Sequence, residues 1–147
     1  MTAPTATIAL AAVLLVGCGG GAPHVAKPVP IQLRITAGKD TNHGGSMYVV
    51  VRKTDAAGFL SENYDAIADG LFGEPRDAAV VRKAIVRPGQ VTTLEADRDL
   101  KDGEIFGVYF LFSRPGESWR LAIQDPKITR VTIVLGESDV TSVEQRP

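Results

Sequence analysis

Ile105-Phe106-Gly107-Val108-Tyr109-Phe110-Leu111-Phe112 is almost wholly apolar and aromatic. A continuous apolar run of strand length has no wet face, so it predicts a central strand covered on both sides. Other segments alternate instead. Ile31, Leu33, Ile35 and Ala37 interleave with Gln32, Arg34 and Thr36, the period-two pattern of a strand with one wet face. Further strands are predicted over Met47–Lys53, Val80–Val86, Val91–Leu94, Trp119–Ile123 and Ile128–Leu135, the last with Val131, Ile133 and Leu135 on one face. About seven short strands with turn signals between them define a mainly β fold, a two-sheet β-sandwich over residues 31–147.

One segment breaks the strand rhythm. Tyr64, Ile67, Ala68 and Leu71 recur at i, i+3, i+4 and i+7, so a single short amphipathic helix is expected within Ser61–Phe72. Ser61 is its candidate cap, and Glu62 and Asp65 suit its positive end. Pro88 followed by Gly89 in Arg87-Pro88-Gly89-Gln90 suits a type II turn, and a hairpin joining Val80–Val86 to Val91–Leu94 is expected around it. Gly38-Lys39-Asp40-Thr41-Asn42-His43-Gly44-Gly45-Ser46 is polar and glycine-rich, hence a surface loop longer than a tight hairpin needs.

The N-terminal region reads differently. Ile8 to Val16 is an apolar run well short of the roughly 20 residues a membrane-crossing helix needs, and it ends in Leu15-Val16-Gly17-Cys18. A cysteine after a small residue at that place is where a bacterial lipoprotein is cut and acylated. Residues 1–17 are therefore expected to be a lipoprotein signal peptide, although no Lys or Arg precedes the apolar run. Two or more acyl chains on Cys18, at about 0.8 kcal/mol per buried methylene, would hold the protein on a membrane durably. Gly19 instead of Asp after the cysteine matches the sorting rule for an outer-membrane destination. Residues 18–30 continue as a glycine- and proline-rich tether, spanning up to about 35–40 Å if extended.

Sixteen basic residues against 17 acidic ones leave the chain near neutrality, whereas a nucleic-acid binder would carry a basic excess. Cys18 is the only cysteine, so the domain forms no internal disulfide. The two histidines, His24 and His43, fall in the tether and a loop, which is not a metal-ligand spacing. No nucleophile elbow, phosphate loop or dinucleotide glycine pattern occurs. The residues therefore predict no catalytic group, no metal site and no cofactor. Glu95, Asp97, Asp99, Asp102 and Glu104 could be imagined as a calcium loop, but Arg98 and Lys101 dilute the charge and favour a solvated turn.

The order of these features resembles a known family. A lipobox and tether come first, then a strand ending in a loop that contains Asn42, then Tyr48-Val49-Val50-Val51-Arg52-Lys53. Phe59 follows, ahead of the helix Tyr64–Phe72, then Arg87-Pro88-Gly89-Gln90, Ile105–Phe110 and Trp119-Arg120. This order is similar to that of the outer-membrane lipoprotein of the type VI secretion system, the TssJ (SciN) family. The resemblance implies a transthyretin-like sandwich with a small helical addition, lipid-anchored in the outer membrane and facing the periplasm. It implies a structural adaptor, not an enzyme, that holds the periplasmic domain of the inner-membrane protein TssM in a complex that also contains TssL. In that family the loop between the first two strands contacts TssM. Here that loop offers Lys39, Asp40, Thr41, Asn42, His43, Gly44 and Gly45, without the proline that often follows the asparagine and another before the second strand.

Two other classes remain open from the residues. A lipoprotein binding a cell-wall or carbohydrate ligand would use a concave aromatic site built from Tyr48, Tyr109 or Trp119. A hydrolase would need His43 as its base, with Ser46 or Ser113 as nucleophile.

Overall fold

Ile31, Leu33, Ile35 and Ala37 are all buried along one face of the first strand, β1 (Ile31–Ala37), as their alternation requires. The structure, a computed structural model, describes residues 28–147. The expected leader, Cys18 and the tether as far as Lys27 lie outside the described residues. The chain continues through β2 (Met47–Asp55), α1 (Ala56–Ser61), α2 (Tyr64–Phe72), β3 (Val80–Val86), β4 (Val91–Ala96), β5 (Glu104–Leu111), β6 (Arg120–Ile123), β7 (Arg130–Leu135) and β8 (Val140–Arg146). These strands form two four-stranded sheets, ordered β4-β1-β7-β8 and β3-β2-β5-β6. The expected β-sandwich with a helical insertion is the observed fold.

The sheets face each other over one core. Leu33, Ile35, Val131 and Ile133 from the first sheet meet Val49, Val51, Phe106, Val108 and Phe110 from the second, all essentially inaccessible to water. The second sheet buries its other face too, where Val50 and Tyr109 pack against Ile67 and Leu71 of α2. That second layer explains why β5 carries no polar alternation: its odd and even positions feed different cores.

Three details depart from the sequence reading. The expected hairpin between β3 and β4 is absent, because β3 pairs with β2 and β4 pairs with β1. The turn itself forms, with Gly89 at φ +73° and Gln90 N–H donating to Arg87 O, but it carries the chain from one sheet to the other. The helical insertion consists of two short helices, capped by Asp55 and Asn63, whose side chains accept from Gly58 N–H and Ala66 N–H. Ser61 closes α1 instead of opening α2. An eighth strand, β8, lies at the edge of the first sheet, antiparallel to β7.

The sandwich has two unlike ends. β1 begins at the end that receives the tether, where β4 runs out into the 97–103 loop and β6 into the 124–129 loop. The opposite end gathers the 38–46 loop, the 87–90 turn, the 112–119 segment and the 136–139 turn.

Candidate functional site

The 38–46 loop does not project freely; two of its residues anchor it. Thr41 and Asn42 are the buried polar residues among those described, while Lys39, Asp40, His43, Gly44 and Gly45 are exposed. The Asn42 amide Nδ2 donates to the carbonyls of Gly45 (3.2 Å) and Ser46 (3.1 Å), and its Oδ1 accepts from Ser113 N–H at 2.6 Å. Its own N–H donates to Glu137 O at 2.9 Å. Thr41 Oγ1 donates to Leu135 O at 3.3 Å. Asn42 thus ties together the loop and the start of the 113–118 segment through its side chain, and the β7–β8 turn through its main-chain N–H.

The backbone makes this possible through left-handed residues. Asn42 and His43 both have φ of 53°, and Gly44 has φ of 79°. Asparagine tolerates this region better than most residues because its short polar side chain bonds locally. The turn throws His43 outward, where Nδ1 lies 2.7 Å from Glu137 Oε1, with side chains 37% and 62% exposed. On the other flank Gly38 O accepts from Gly89 N–H at 3.0 Å, joining the loop to the 87–90 turn. The result is a stiffened end surface of polar and charged groups.

A second polar cluster holds the helices to the sheet. Arg52 donates to Asp77 at 2.7 Å and to Glu62 at 2.5 Å, and Tyr109 Oη donates to the other Glu62 oxygen. Arg120 donates to the carbonyls of Phe59 (2.5 Å) and Glu62 (2.6 Å) and lies over the Phe59 and Trp119 rings. Burial raises the Tyr109 hydroxyl pKa well above its usual value near 10, and the Glu62 carboxylate adds to the rise. Burial pulls the Arg52 guanidinium downward, but hydrogen bonds and charge from Asp77 and Glu62 outweigh it, and its pKa is raised. These groups neutralise one another, which is the arrangement of a structural clamp.

The structure gathers the aromatic residues considered for a ligand site into one packed layer. Tyr109 has no exposed surface and packs against Trp119 and Phe59, Tyr48 pairs edge-on with Phe72, and Trp119 meets Tyr64. They fill the layer beneath the helices. His43 is engaged by Glu137, and Ser113 offers Asn42 its N–H. Among the described residues no group of three or more His, Cys, Asp or Glu is arranged to hold a metal ion, and Asp97, Asp99 and Asp102 are exposed. Among the described residues no helix is long and apolar enough to cross a membrane.

Two four-stranded sheets with a helical layer on one of them define a small β-sandwich whose fold is that of known type VI secretion lipoproteins. The chain is similar to the T6SS lipoprotein TssJ1 from Pseudomonas aeruginosa at 14% identity, covering 82% of this chain and 98% of that one with a TM-score of 0.59. It is similar to Serratia marcescens Lip, a membrane-bound component of the type VI secretion system, at 17% identity, with the same coverage and a TM-score of 0.61. A chain of the structure described as the T6SS protein TssM C-terminal domain (869-1107) from EAEC matches at 21% identity, covering 80% of this chain and 98% of that one, with a TM-score of 0.56. No curated protein sequence matches the chain significantly. The profile of the family described as IglE, N-terminal domain, matches residues 48–135, more than half of the chain. The chain belongs to this family of type VI secretion lipoproteins. The match begins at Tyr48, after β1 and the 38–46 loop.

Proposed function

We propose that this protein is a structural adaptor of the type VI secretion membrane complex, anchored in the outer membrane through acylated Cys18. Its loop end binds the periplasmic domain of a TssM-like inner-membrane protein, with TssL in the same complex. The observation that carries this reading is the polarity of the sandwich. The tether enters β1 at one end, and the 38–46 loop leaves β1 at the other, so a strand of about 20–23 Å separates the end of the tether from the docking loop. A loop held by Asn42 and Thr41 presents Lys39, Asp40, His43, Gly44 and Gly45 in one geometry, which lowers the ordering cost of binding. The role asks for no catalysis: the polar clusters are self-neutralised, and the loop surface offers charge and hydrogen bonds for a protein partner.

The test is calorimetry of the soluble domain with the periplasmic region of the cognate TssM-like protein. Saturable binding is expected, and replacing residues 38–46 by a short Gly-Ser linker should abolish it. No binding at high micromolar concentration, or undiminished binding by the loop variant, would overturn the proposal.

A further inference from the structure

β3 is the outermost strand in the order β3-β2-β5-β6, so one side of its backbone has no strand partner. Its outward-facing row is cationic and apolar in alternation. Lys83 stands opposite Val50 and Ile85 opposite Tyr48, on the face that carries the helices, and Arg87 continues the alternation into the turn. Lys83, Ile85 and Arg87 are exposed, and neither cation forms an ion pair with another described residue. Beside the row, the Tyr48 and Phe72 rings meet edge-on at 5.2 Å, and Phe72 is left 64% exposed although it ends a helix packed on the sheet. A cleft of about 300 Å³ opens between α2 and β3, lined by Leu71, Arg76, Val80 and Lys83. Its one carboxylate, Asp77, is already neutralised by Arg52.

From this arrangement we infer that the β3 edge, with Phe72 as its wall, is a docking surface for an extended acidic segment of a partner protein. A segment placing acidic and apolar residues in turn at every second position, hence all on one face, would pair its backbone with Lys83–Val86. Its carboxylates would meet Lys83 and Arg87, and its apolar side chains would cover Ile85 and Phe72. Arg82 sets the limit of the open length: it donates to Glu95 O across the sandwich edge and to Val81 O, covering the start of the strand. The charge pattern also excludes a second copy of this chain. Pairing two β3 edges would bring Lys83 and Arg87 against the same cations, the usual guard against edge-to-edge self-association. An acidic strand meets attraction at those positions, so the guard doubles as a selectivity element. The other edges lack this combination, since β6 is only four residues long, and β4 and β8 carry Glu95 and Glu144 among their exposed residues.

The inference is independent of the adaptor reading and has its own test. Residues 28–147 hold both four-stranded sheets and the core between them and can be ¹⁵N-labelled. They are titrated with the capped peptide Thr-Glu-Thr-Ile-Thr-Glu-Thr, whose Glu, Ile and Glu share one strand face, and with its counterpart carrying Lys in place of Glu. The acidic peptide should give saturable shifts at Tyr48, Phe72 and Lys83–Arg87, with slowed amide exchange at Lys83–Val86. The Lys83→Glu/Arg87→Glu variant, its fold verified by its own spectrum, should weaken binding at least about tenfold, and the basic peptide should not bind. No shifts up to about 1 mM peptide, equal shifts with both peptides, or shifts centred on residues 38–46 would each overturn it.

Discussion

Replacing Asn42 by alanine should destabilise the domain by about 3 kcal/mol, and the structure supplies the reasons. The side chain makes three hydrogen bonds, to Gly45 O, Ser46 O and Ser113 N–H, each worth about 1 kcal/mol net. Alanine must also occupy φ 53°, ψ 40°, a left-handed conformation costing about 1 kcal/mol for a residue without a local polar contact. Gly45 and Ser46 are exposed, so water recovers part of what their carbonyls lose, which brings the sum back towards about 3 kcal/mol. For a domain of this size that corresponds to a Tm lower by about 10 °C.

The assay is urea unfolding with a shared m-value, run on three variants. Asn42→Gly should recover about 1 kcal/mol relative to Asn42→Ala, because glycine removes the same bonds without the backbone penalty. Asn42→Asp keeps the acceptor for Ser113 N–H but turns a carboxylate oxygen towards two carbonyls, so it should be no better than alanine. An alanine variant within about 1 kcal/mol of the parent, or a glycine variant no more stable than alanine, would refute Asn42 as the tie of the loop end.

Three further outcomes follow from the packing. Tyr109 has its pKa raised in the folded state, so it contributes stability present below pH 10 and lost as pH rises from there towards its folded value, at up to about 1.4 kcal/mol per pH unit. Tyr109→Phe should flatten that alkaline fall in urea titrations between pH 9 and about 11; an unchanged slope would assign the fall to other groups. Gly107→Ala should cost about 2–4 kcal/mol, because a Cβ there would lie 2.6 Å from the Tyr109 ring and push it off Glu62; a melting temperature equal to the parent's would show that the ring can yield. Glu137→Gln should change stability by less than about 1 kcal/mol, since its pair with His43 is exposed, and a larger loss in unfolding experiments would mean the pair is integral to the loop.

Strands that bury an alternating face were legible residue by residue. β1 has the predicted limits, and β7 buries Val131, Ile133 and Leu135 as their spacing demands. β8 was not legible because it buries no residue fully and is held by its backbone ladder to β7, which leaves no hydrophobic rhythm in the sequence. The Pro88-Gly89 turn shows the limit of local signals: turn chemistry resides in four residues, but the choice of partner strand is made by the cores of both sheets. Asn63 is a stronger cap signal for α2 than Ser61, since its side chain reaches Ala66 N–H three residues on. At the loop end, composition identified an exposed polar segment, yet Thr41 and Asn42 are buried. Their partners Leu135 and Ser113 lie 94 and 71 residues away in the chain, a distance no local pattern spans.

The position of β1 bears on how such a domain could carry load between an anchor and a partner. The tether joins its first residue and the 38–46 loop follows its last, so a pull between the two runs along β1 itself. β1 is an interior strand, antiparallel to β4 over Ile31–Thr36 and parallel to β7 over Gln32–Ala37. A force along the strand therefore loads both ladders in shear, sharing it among all the inter-strand bonds, whereas a pull across an edge strand would open them one at a time. The buried row Ile31, Leu33, Ile35 and Ala37 must leave the core before β1 can slide by one residue, because a one-residue slip turns each of them to the solvent face. Asn42 and Thr41 extend the same tie beyond the strand, fastening the loop to Ser113, Leu135 and Glu137. The proposed anchor and the proposed docking loop are thus joined through an interior strand of the first sheet, and the free edges β3 and β6 lie outside that line of force.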